Sequence, residues 1–304
     1  MKDIVWPVSL LWPRPDAQHA RMRLNAAAIA DLGLEHIVQA LDVDRQHAGV
    51  IRAILYEPCT ELDAITYRQE ILADLLSLPT LTAALQALLP ELAALTPSRT
   101  SNWPGDSLLM PVITRLRELD RYVAAIDRLD TILSDTLQLH SHGLAALRAS
   151  IRALAADPDV VALRTELPAL HDLIGTAKSV TIGLNLDADL EPEAATIVEV
   201  NNFQFKGARS LLGRLLPNSS NGIPAPVGPL HHAGPKSLRR DSELYKDLQR
   251  LLESVAAPLE KALARYRDIN VGPLVGLERE LAFLTGAASL VVRLQEAGVA
   301  MCRP

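Results

Sequence analysis

Six basic side chains, Lys206, Arg209, Arg214, Lys236, Arg239 and Arg240, fall between positions 206 and 240 with no acid among them. Clustered Lys and Arg suit phosphate oxygens, in contacts that depend on salt and ignore base sequence. The rest of the chain has the opposite character. There are 30 Lys and Arg against 36 Asp and Glu, so the balance outside this segment is −12. An acidic body with one basic segment argues against a generally nucleic-acid-coated surface and points to one localised contact. On composition alone the segment is equally a solvated loop; its place in the chain favours the contact.

Other candidate chemistry is thinner. GTAKS (175–179) carries a Lys-Ser pair but runs into a strand-like stretch instead of opening a helix. In GPLHHAGPKS (228–237), Pro235 separates Gly234 from Lys236, so the Gly-Lys adjacency of a phosphate loop is missing. His231 and His232 have no Cys or carboxylate nearby to complete a ligand set. His140 and His142, two apart on a helix, point to different faces. The acid pairs Asp187/Asp189 and Glu191/Glu193 sit in a polar connection, and nothing resembles a nucleophile with its base. The expectation is therefore no catalytic residue, no metal and no cofactor within this chain.

The elements that must position the basic segment are mostly helices. Apolar residues make up 49% but aromatics only 4%, so Leu, Ala and Val carry the packing, as suits stacked helices. ELDAITYRQEILADLLSL (61–78) predicts a helix with Leu62, Ile65, Ile71, Leu72, Leu75 and Leu76 largely on one face. LTAALQALLPELAAL follows, with Pro90 expected to kink or break it. From about Leu108 to Ala156 the pattern stays helical, as one helix or as two with Gly143 the weakest point. Unbroken, it would reach about 70 Å. Asp157 or Asp159 is expected to cap the next helix. Another long helix is expected from about Ser237 to Ile269, and a last one from Leu277 to Gly298.

Between these arms the period changes to two. Val180, Ile182, Leu184 and Leu186 alternate with Thr181, Gly183, Asn185 and Asp187, and TIVEV is a second strand-favouring run. The two predict a long-looped hairpin with one face on helix and one in water. The stretch after it, PNSSNGIPAPVGPLHHAGPKSLRR, has five prolines and three glycines and predicts no regular structure. The fold class expected is mainly α: a long-helix lever or core bundle with a small β-hairpin insertion.

Several segments, in order, resemble a bacterial branch of the MutS family, DNA mismatch repair proteins and their relatives. The first is Asp31, Leu32, Leu34, Ile37 and Val38. The second is Ile65, Tyr67, Arg68, Gln69, Glu70, Ile71, Leu72, Asp74 and Leu75. TIGLNLD, FKG and the closing AFLTGAASLVVRLQEAGVAMCRP add to it. The resemblance implies a lever-type helical core joining an ATPase to a clamp around DNA. It places ATP and Mg in the ATPase domain that in relatives follows the closing stretch, so no nucleotide-binding residue is assigned here. The chain begins directly with the core, and Phe203-Gln204-Phe205 lacks the Phe-x-Glu pattern of the classical mismatch wedge.

Read together, residues 1–106 form an N-terminal helical core and 107–178 the outgoing lever. Residues 179–240 form the hairpin with the basic loop, a reduced clamp, and 241–304 the returning helix and final helix. The expected partner is DNA, whether duplex, mismatched or branched, contacted through its backbone by the six basic residues. A homodimer is also open, and the competing reading is a helical scaffold that docks protein and not DNA. Two distant cysteines, Cys59 and Cys302, a proline-broken N-terminus and no apolar run of about 18 residues predict a soluble, cytoplasmic protein without membrane contact.

Overall fold

The computed structural model describes residues 8–14, 22–42, 46–96, 109–136, 138–175, 179–186, 188, 192–201, 203–204 and 256–301. The protein is mainly helical. In chain order the elements are α1 (Ala26–Asp31), α2 (Leu34–Leu41), α3 (Ala48–Tyr56), α4 (Leu62–Ser77), α5 (Pro79–Ala93), α6 (Leu109–Ser134), α7 (His142–Ala155) and α8 (Pro158–Gly175). Then come β1 (Ser179–Leu186), β2 (Pro192–Asn201), a helical stretch over 256–263, a 3-10 turn Ala264–Tyr266 and α9 (Gly272–Glu296).

Two compact units divide the chain. The first comprises Met1–Trp103, Arg117–Thr165 and Asp268–Pro304; the second comprises Pro104–Leu116 and Glu166–Arg267.

The first unit has a core made of narrow apolar seams. Buried residues recur in steps of three and four: Leu81, Leu85, Leu88 and Leu92 on α5, Tyr122, Ile126, Leu129 and Leu133 on α6, and Leu144, Leu147, Ile151 and Leu154 on α7. On α9 the series is Leu274, Leu277, Leu281, Leu284 and Ala288. This spacing keeps one stripe of each helix facing its neighbours. A second face of α9, with Phe283, Ala287 and Leu290, packs on Val38, Leu41 and Ile51 of α2 and α3. Gly33, at the start of α2, has φ 61°, a left-handed conformation that glycine adopts without a Cβ clash.

Several boundaries differ from the sequence reading. Leu62 is 75% exposed, because the buried face of α4 is instead Ala64, Ile71, Asp74 and Leu75. Pro90 does not break α5, which continues to Ala93; the helix ends within a turn, so little of it depends on the missing N–H. The long pattern from 108 to 156 is two helices, α6 and α7, and their break precedes Gly143. Ser141 is the N-cap of α7, its Oγ accepting from the Leu144 amide. Asp157 takes the capping place before α8, with Oδ1 accepting from the Asp159 amide at 2.9 Å. The last helix starts five residues earlier than read, at Gly272. The returning arm lies largely outside the described residues.

No single described helix is long and apolar enough to cross a membrane. Among the described residues, α4 and α5 reach that length and composition only when taken together, and they are bent by 104° where they meet, with Pro79 in the first turn of α5.

On the surface of this unit, Glu35 takes two hydrogen bonds from Arg52, at 2.7 and 2.9 Å, and one from the Tyr56 hydroxyl. The Arg52 contact is the main cause that brings its carboxyl down to about 2, and the Tyr56 bond adds to it. An unfolded Glu titrates near 4.3, so this stabilisation is complete above that value and is lost as pH falls toward 2. The urea midpoint of Glu35→Gln is expected below that of the parent at neutral pH, the gap narrowing as pH falls from about 5 to about 3.

Candidate functional site

Lys206, Arg209, Arg214, Lys236, Arg239 and Arg240 all lie outside the described residues, as do His231 and His232. What is described is the chain leading into that segment and the chain leaving it, both in the second unit.

The hairpin leads in. Eight residues of β1 pair antiparallel with ten of β2, so the longer strand must bulge, and the register shifts between Thr181 and Ile182 and between Asn185 and Leu186. The shifts match like with like: Val180 pairs with Val200, Ile182 with Ile197, Leu184 with Ala195 and Leu186 with Pro192. An unshifted ladder would have set Leu184 against Thr196. The open end is tied twice more by side chains. Asn201 Nδ2 donates to Thr181 Oγ1 at 3.0 Å, and Ser179 Oγ donates to the Phe203 carbonyl at 2.8 Å. Phe203 itself is 59% exposed.

On the return side, Ala256, Leu259, Leu263 and Tyr266 are buried at helical spacing. Arg265 Nη1 donates to Glu166 Oε1 at 2.6 Å, and Arg115 Nη2 donates to the Tyr266 carbonyl at 2.9 Å. These contacts fix the end of the segment to α8 and to the start of α6.

The polar residues of the YRQEILADL stretch, in the first unit, turn out to be architectural. Tyr67 donates its hydroxyl proton to the Ser9 carbonyl at 2.7 Å, and burial pushes its own ionisation up to about 12. Arg68 Nε donates to the Leu11 carbonyl at 2.8 Å while its guanidinium lies 4.7 Å from the centre of the Trp12 ring. Ser9 Oγ donates to Glu280 Oε1, and the Leu10 amide donates to Glu280 Oε2, both at 2.6 Å. Burial raises the Glu280 carboxyl; the two hydrogen bonds and the Arg68 charge oppose that shift. Residues 8–12 are thus strapped between α4 and α9. Asp74, 3% exposed, accepts the amides of His140 and Ser141 at 3.0 and 2.7 Å, so α4 caps the start of α7.

A second polar cluster joins α3 to α9. The Asp42 carboxylate accepts the His47 amide at 2.8 Å, and His47 Nε2 meets the Glu278 carboxylate. Both acids are buried. Asp42 and His47 line a cleft of about 330 Å³, where Gln86 Nε2 donates to Ser289 Oγ at 2.6 Å. Both carboxylates engage His47 itself, so the cluster acts as a clamp between helices. Among the described residues no three His, Cys, Asp or Glu side chains are arranged to hold a metal ion.

Sequence reasoning flagged Tyr67, Arg68 and Asp74 through the resemblance, without their roles. It missed Ser9, Asp42, His47, Glu278 and Glu280. For Glu278 and Glu280 the only signal was acids placed beside the apolar seam of α9.

No match to this chain was found among curated proteins or among solved structures. The model of the MutS2 N-terminal domain family matches residues 60–297. That span runs from the start of α4 to the end of α9 and takes in both strands and the basic segment; the stretch Asp31–Val38 precedes it. Matched over most of its length, the chain belongs to the MutS2 N-terminal domain family.

Proposed function

We propose that this chain is the lever and reduced clamp of a MutS-related protein. In this reading it contacts the DNA backbone through the segment from Lys206 to Arg240. The observation that carries it is the separation of charge: six cations and no acid in that segment, against −12 elsewhere. Such a segment attracts a polyanion by releasing its counterions, while the acidic body repels it, so contact is confined to one place. The helices then serve to pass the state of an ATPase to that contact, with ATP and Mg bound outside this chain. The working compartment in this reading is the cytoplasm.

Binding of the chain to a duplex is expected to weaken steeply as salt rises from about 50 to 200 mM. Changing Lys236, Arg239 and Arg240 together to Ala should lower the slope of log Kobs against log salt by about three, at roughly 0.9 per lost phosphate contact. Fluorescence anisotropy over a salt series measures this. An unchanged affinity would place the contact elsewhere. The competing reading, a helical scaffold or dimerisation module, draws on exposed apolar residues such as Leu32, at 60% exposure. A stable dimer with no DNA affinity at low salt would establish that reading instead.

A further inference from the structure

Arg68 is half-buried, yet among the described residues it forms no ion pair. Its guanidinium donates through Nε alone, to the Leu11 carbonyl, which leaves Nη1 and Nη2 without a described acceptor. Burial pulls its pKa down, and the nearby Cys59, Glu280 and Glu61 do not offset that shift. The closest in role, Glu280, already accepts from Ser9 Oγ and the Leu10 amide. Arg68 is on the wall of a cleft of about 420 Å³ in the first unit, bounded by Leu11 and Trp12 of the strap and by α3. Arg279 of α9 shares that wall; it is exposed, with no hydrogen bond or ion pair among the described residues.

The rest of the wall is largely apolar, with Val50, Ala53 and Ile54 of α3 beside Leu11 and Pro58. Such a surface offers little to the hydroxyls of a sugar or the edge of a base, whereas it suits a hydrocarbon body. Guanidinium groups match the planar fork of a carboxylate. Glu57 is the acid on this wall, so Arg68 and Arg279 against Glu57 leave a charge of +1. That balance suits a single negative charge better than a doubly charged phosphate ester. We propose that this cleft binds an amphipathic monocarboxylate, its head group on Arg68 and Arg279 and its apolar body against α3. Bound there, it ties α3, α4, α9 and the strap together, and so raises the unfolding temperature.

The test titrates the full chain with octanoate, octanol, acetate and octyl phosphate, followed by calorimetry and by amide NMR. Octanoate is expected to bind at a single site, to shift the amides of Gly49, Val50 and Ala53, and to raise Tm. Octanol and acetate each lack half of the ligand and should bind at least about tenfold more weakly; octyl phosphate should bind no more tightly than octanoate. Arg279→Ala should weaken octanoate about tenfold and leave the urea midpoint unchanged, because the side chain is exposed. Gly49→Leu is the second variant. A Cβ on Gly49 meets nothing within 4 Å, so leucine there enters open space at the cleft wall and should abolish binding with the fold intact. Arg117→Ala, an exposed change on α6, should bind octanoate as the parent does. Parent-like octanoate affinity in Arg279→Ala or Gly49→Leu overturns the site, as does an equal loss in Arg117→Ala. Octanol binding as tightly as octanoate overturns the anionic head, and tighter binding of octyl phosphate overturns the carboxylate. Absence of octanoate binding at millimolar concentration overturns the ligand altogether.

Discussion

Replacing Asp74 by alanine is expected to destabilise the first unit by about 3 kcal/mol. Its carboxylate is buried and accepts two backbone amides, those of His140 and Ser141, at the entry to α7. Alanine removes both bonds and leaves two amides without this acceptor, that of Ser141 in a buried site. Each such group costs about 1–3 kcal/mol, and a lost helix cap typically about 1 kcal/mol of the same total. Asp74→Asn keeps one acceptor oxygen and should cost only about 1 kcal/mol. Urea denaturation of the two variants checks this. Equal midpoints for Asp74→Ala and the parent would mean that α7 starts without help from α4. The change should also raise hydrogen exchange at the first amides of α7 before it affects α9.

The second large effect is steric. A Cβ built on Gly286 would lie 2.5 Å from the Leu41 carbonyl oxygen, a backbone atom that cannot swing aside. Gly286→Ala must therefore push α9 off α2, loosening the Val38, Leu41 and Ile51 cluster at a cost of about 2–3 kcal/mol. Ten residues earlier, Gly276 has nothing within 4 Å of the same position. There the substitution should stabilise by about 0.5–1 kcal/mol, because alanine is the better helix former. Opposite signs for two Gly→Ala changes in one helix separate close packing from propensity. Thermal unfolding of both variants beside the parent measures it, and loss of stability in both would mean that α9 tolerates no change for another reason.

The parts of this fold that were readable from sequence are those fixed by local pattern. The helices show in the three-and-four spacing of their leucines, and β1 shows in the alternation Val180, Ile182, Leu184, Leu186. Features set by a distant partner were not readable. The start of α7 depends on Asp74, 67 residues from Ser141, so local reasoning placed the weak point at Gly143. The two bulges of β2 exist only because β1 is shorter, which neither strand reveals alone. Glu278 and Glu280 resemble the solvent side of an amphipathic helix until His47 and Ser9 are seen against them. Of the candidate DNA contact, the charge was legible and its six residues lie outside the described residues, so the charge remains the main argument for it.

The strap at Ser9 and Leu10 closes on Glu280, 271 and 270 residues away, and the first unit draws its core from three separate lengths of chain. During synthesis this matters more than it does in the finished molecule. The ribosome delivers the whole second unit before α9 exists, and at about 5–20 residues per second the earlier helices wait several seconds with their seams open. The nascent chain is then an unfinished bundle with exposed leucines, a species that invites chaperones and misassembly. Completion comes with α9, whose two packed faces and two acids, Glu278 and Glu280, engage the core, the α2–α3 pair, His47 and the strap together.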